Sequence, residues 1–85
     1  MDKKFRIAEG SASVIKRPLV EIIGNRRVLI ENHTGITEFG NERITASNTG
    51  GNVVVTGRDL QITLISEEQI VIVGKIGSVL LDEGI

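Results

Sequence analysis

Apolar and polar positions along the chain fall into short runs separated by clusters that contain glycine. Leu60, Ile62 and Leu64 alternate with Gln61 and Thr63, the period-two pattern of a half-buried strand that places the three apolar side chains on one face. Three other runs, Val28-Leu29-Ile30, Val53-Val54-Val55 and Ile70-Val71-Ile72-Val73, are apolar at every position. With the intervening breaks, the pattern predicts about eight short strands, at residues 19–23, 28–31, 36–39, 43–46, 53–56, 60–65, 70–73 and 79–81. Gly24-Asn25, Asn32-His33-Thr34-Gly35, Gly40-Asn41 and the cluster SNTGGN at residues 47–52 supply the turns between them. Residues 1–13 show no sustained period and end in small polar residues, so a flexible arm is expected over 1–17 ahead of a single all-β domain at 18–85.

Composition supports strands over helices. Val, Ile and Thr occur 9, 13 and 6 times in 85 residues, against 3 Ala and 6 Leu. Branching at Cβ restricts side-chain rotamers in a helix and suits a pleated surface. The expected architecture is a compact layered sandwich or a short solenoid-like arrangement. A small sandwich covers one face of each strand with its own core. Strands apolar on both faces therefore need a layered interior or another subunit, and the residues expected to carry self-association are Val28, Ile30, Val53, Val54, Val55, Val71 and Val73. A weak repeat of strand and glycine turn begins at Val28, Val53 and Val71. Its uneven spacing argues against a true solenoid.

The chain carries 10 Lys and Arg against 11 Asp and Glu, a net charge of −1. That balance is unlike a protein that neutralises nucleic-acid phosphates over its whole surface. With no Trp or Tyr and only Phe5 and Phe39, stacking platforms for bases or sugars are absent too. No nucleic acid and no small-molecule substrate are expected as partners. The absence of cysteine removes disulfides, thiolate chemistry and Cys-based zinc sites, and points to a reducing, cytoplasmic compartment. No apolar run reaches the roughly 18 residues of a membrane span. Charge is unevenly spread: residues 1–17 sum to +3 and residues 18–85 to −4.

The segment Ile30-Glu31-Asn32-His33-Thr34-Gly35-Ile36 resembles the Ile-Glu-Asn-His-x-Gly segment of the YabP/YqfC family of sporulation proteins. Pro18-Leu19-Val20-Glu21-Ile22-Ile23-Gly24 upstream resembles that family's first strand. Gly57-Arg58-Asp59-Leu60-Gln61-Ile62 and Gly74-Lys75-Ile76-Gly77-Ser78-Val79 are similar to its later Gly-x-x-Leu-x-Ile and Gly-x-Ile-x-x-Val/Leu segments. The resemblance runs from about Pro18 to Leu81 and favours the YqfC branch. The resemblance implies a small protein made in the mother cell of an endospore former and linked to spore envelope assembly. For the YqfC branch it implies a membrane-anchored partner of the YqfD type, and a location peripheral to the forespore membrane. It brings no catalytic residues.

Candidate chemistry is sparse. His33 is the only histidine, and Glu31 and Glu38 are the nearest carboxylates in sequence. Catalysis would need an orienting carboxylate and a nucleophile or water beside it. The plainer expectation is that Asn32, His33 and Gly35 form a β-turn in which Asn32 caps its own backbone and Gly35 takes a positive φ. One histidine without cysteine makes a poor metal set. No phosphate-binding glycine pattern is present. Glu67-Glu68 reads as a solvated turn beside sticky strands. These readings converge on a non-enzymatic, self-associating structural protein without cofactor or metal. A bactofilin-like polymer-forming β protein unrelated to sporulation is the alternative.

Overall fold

A computed structural model describes residues 18–82; the arm expected over 1–17 lies outside them. The chain forms six strands: β1 (Leu19–Ile23), β2 (Arg27–Glu31), β3 (His33–Phe39), β4 (Arg43–Asn48), β5 (Gly51–Ile65) and β6 (Gln69–Asp82). They make one antiparallel sheet in the order β1-β2-β6-β5-β4-β3. The all-β expectation holds, with six strands in place of about eight. The segments expected at 53–56 and 60–65 are one strand, β5, and those at 70–73 and 79–81 are another, β6. Antiparallel pairing throughout also differs from the parallel coils of a solenoid.

The long β5–β6 hairpin bends near its middle. Its register shifts between Thr56 and Gly57, between Arg58 and Gln61, and between Ile62 and Leu64. Glycine is required here by close backbone approach, not by a chain reversal. A Cβ at Gly57 would lie 2.0 Å from the Lys75 carbonyl oxygen, and one at Gly74 2.6 Å from that of Asp59. Two loops pair the backbone groups that the bend takes off the ladder. The amides of Gly57 and Leu60 donate to the carbonyls of Glu42 (3.0 Å) and Asn41 (2.9 Å). Those of Gly74 and Ile76 donate to Arg26 (3.1 Å) and Asn25 (2.7 Å). Each of these four amides is thereby satisfied, as a backbone group turned from water requires.

Beyond the bend, each long strand belongs to a different half of the sheet. Residues 61–65 and 69–73 lie with β2 and β1, whereas residues 51–56 and 78–82 lie with β4 and β3. The inner faces of both halves meet in one cluster: Val28, Ile30, Ile70 and Ile72 from the first, Ile44, Ala46, Val53 and Val55 from the second, and Leu60 from the bend. Seven of these side chains are wholly enclosed, and each contributes about 1.5–3 kcal/mol by leaving water.

The alternation expected at residues 60–64 is broken. Leu60 and Ile62 join or pack on the core, but Leu64 is 46% exposed. The shift after Ile62 leaves Thr63 as an extra residue, so Ile62 faces Ile72 while Leu64 faces Val71. Adjacent residues of β6 point to opposite faces, and Leu64 is turned outward with Val71.

Candidate functional site

The segment Glu31-Asn32-His33-Thr34-Gly35 forms the junction between β2 and β3. It is not the self-contained β-turn expected from the sequence. Asn32 alone makes the corner, in the left-handed region (φ 67°), and β3 begins at His33. Asn tolerates that conformation better than most residues. Gly35 does have a positive φ (145°), within β3 beside a register shift.

The junction grips the tip of the β5–β6 hairpin. The Asn32 amide donates to the Glu68 carbonyl (2.8 Å), and His33 Nε2–H donates to the Ser66 carbonyl (2.8 Å). Gln69 Nε2 donates to Glu31 Oε2 (2.9 Å). The tip is itself ordered by Ser66, whose Oγ accepts from the Gln69 amide (3.0 Å) and whose own amide donates to the Gln69 carbonyl (2.8 Å). On the β4 side, Ser47 Oγ donates to the Gly35 carbonyl (3.2 Å) and lies 2.9 Å from Thr34 Oγ1. Ser66 and Gln69 are the partners that sequence reasoning missed. A serine opening Ser66-Glu67-Glu68-Gln69 was a turn signal, but nothing local tied it to His33.

The two carboxylates nearest His33 in sequence are engaged elsewhere. Glu31 takes Gln69, and Glu38 Oε1 accepts from Arg43 Nε and Thr45 Oγ1, both at 3.0 Å. His33 Nδ1 is enclosed without a hydrogen-bond partner among the described residues. Chemically, the junction is a clamp. Among the described residues no group of three or more His, Asp or Glu side chains is placed to hold a metal. Asn48 Oδ1 accepts from the Gly50 amide (2.9 Å), which closes the expected hairpin at residues 47–52.

The residues expected to carry self-association divide into two sets. Val28, Ile30, Val53 and Val55 are 0% exposed within the chain's own core, because the bend supplies a second layer. Val54, Val71 and Val73 lie on the opposite face of their strands. Val54 is flanked by Thr45 and Leu80, and Val71 by Leu29 and Leu64. Val54 and Val71 are themselves nearly covered, while Leu64 and Leu80 beside them are exposed. Phe39, Ile65 and Leu81 are exposed as well.

Neither the curated proteins nor the solved structures gave a significant match to the chain. The family model of the YabP family, by contrast, matches residues 16–84, a span that holds all six strands and the clamp at Asn32 and His33. The chain belongs to the YabP family.

Proposed function

We propose that this protein is a non-enzymatic structural component of spore envelope assembly, coat or cortex, that acts by self-association. Family membership over residues 16–84 carries the reading. The resemblance over about Pro18 to Leu81 favours the YqfC branch, and with it a membrane-anchored YqfD-type partner in the mother-cell cytoplasm at the forespore membrane. The outward apolar side chains are the physical means. Leu64 beside Val71 and Leu80 beside Val54 offer surface whose burial stabilises a contact by about 25 cal/mol per Å2.

Light scattering on a size-exclusion column tests self-association, with defined oligomers or filaments as the expected result. A monodisperse monomer at working concentration would sink that part of the reading. Deleting the gene in a spore former, followed by thin-section microscopy of the spore envelope, tests the cellular role. A normal envelope would count against it. Leu80→Glu and Val55→Glu separate surface from core. Leu80→Glu is expected to weaken assembly with the fold retained, whereas Val55→Glu buries an unpaired charge and unfolds the chain at a cost of about 4 kcal/mol or more. If Leu80→Glu assembles like the parent, the contact lies on another face.

A further inference from the structure

The sheet repeats itself about its centre. Its order β1-β2-β6-β5-β4-β3 reads the same from either end once β1 is exchanged with β3, β2 with β4 and β6 with β5. The bonds at the bend follow the same exchange. Gly57 and Leu60 donate to Glu42 and Asn41 as Gly74 and Ile76 donate to Arg26 and Asn25. Both receiving loops open with Gly-Asn, at residues 24–25 and 40–41, and lead to an arginine, Arg27 or Arg43. The buried pairs agree as well. Val28 opposite Ile72 matches Ile44 opposite Val55, and Ile30 opposite Ile70 matches Ala46 opposite Val53. The two halves are therefore related by an approximate twofold axis through the middle of the β5–β6 hairpin.

The outward faces obey the same axis. Glu21, Leu29, Val71 and Leu64 cross the first half, each opposite the next. Glu38, Thr45, Val54 and Leu80 cross the second in the same way. Each row ends in an exposed leucine beside a nearly covered valine. Each begins at a glutamate with an arginine on the next strand: Arg27, opposite Ile23, and Arg43, which bonds Glu38 at 3.0 Å. Because the inner faces meet in the core, these outward faces look away from each other.

We propose that the chain carries two interchangeable contact faces, centred on Leu64 and on Leu80, and that each takes a second copy of the same chain. This valency rests on self-association being the mode of action. Charge names the occupant. Each face carries both signs beside its apolar pair, so a copy laid on it about a twofold axis sets arginine against glutamate. An anionic leaflet or a nucleic acid would instead meet a glutamate at the margin of either face. One face pairing with its like closes at a dimer. Two such faces pointing apart leave one open at each end, and the assembly grows chain by chain into an open row.

Sedimentation velocity of the full-length chain over a range of concentrations tests the valency. The parent is expected to grow past the dimer as concentration rises. Leu64→Glu and Leu80→Glu each block one face and are expected to stop growth at twice the chain mass, and the double variant is expected to remain a monomer. Amide exchange in β2 and β4 as in the parent shows that the fold is kept. Leu64→Gln and Leu80→Gln, which add no charge, take the place of either variant that unfolds. A parent that stops at the dimer would overturn the second face and leave self-association standing. The same holds for a single variant that still grows past the dimer, or for one that is already monomeric, since the faces would then not be interchangeable. A parent that is monomeric throughout would instead remove self-association itself, and the two faces with it.

Discussion

The two ends of the folded sheet are held by different means. At the bend, backbone meets backbone: Gly57 lies against Lys75, Gly74 against Asp59, and loop carbonyls at Asn25, Arg26, Asn41 and Glu42 receive the displaced amides. At the opposite end, side chains do much of the work, with His33 reaching Ser66, Gln69 reaching Glu31 and Ser66 ordering its own turn. The first end tolerates almost no added atom. The second depends on a few polar contacts whose individual net worth is about 1 kcal/mol. The contrast separates what makes the fold possible from what steadies one hairpin tip.

Substitutions at the two ends should therefore differ in size and in reach. The largest effect is expected from Gly57→Ala. Its Cβ cannot be placed 2.0 Å from a carbonyl oxygen without moving both long strands. A loss of about 3 kcal/mol or more in urea unfolding is expected, felt in every strand. A loss below about 1 kcal/mol would mean that the bend relaxes and the backbone contact is not limiting. His33→Ala should cost about 1–2 kcal/mol, with faster exchange at residues 66–69 and little change at Gly57. Equal loosening of both ends would erase the contrast. Gln69→Ala is the mildest, at about 1 kcal/mol, since Glu31 stays half-buried and open to water.

Those differences also explain what could be read in the sequence. The strands at 19–23, 28–31 and 43–46 were legible because turn residues bracket short apolar runs. Gly57 and Gly74 look like the same punctuation, yet they lie inside strands, where glycine is required by an approaching backbone about 15 to 18 residues away. Local pattern carries no trace of that neighbour. The importance of Asn32 and His33 was visible through the family resemblance. Their role was not, since the partner carbonyl at Ser66 lies 33 residues further on. The same gap hid the fate of Val28, Ile30, Val53 and Val55. Their strands read as needing a cover, and the bend shows that the chain covers these side chains itself.

The sharing of β5 and β6 between both halves has a bearing on how the molecule opens. A strand that runs through the bend cannot leave one half without straining the other, so neither half is a separate cooperative unit. Partial opening is confined to what hangs on one side, β1 and β3 at the two margins of the sheet. Native-state exchange should accordingly resolve into two tiers: margins that open alone at low free energy, and a central block of β2, β4, β5 and β6 that exchanges through global unfolding.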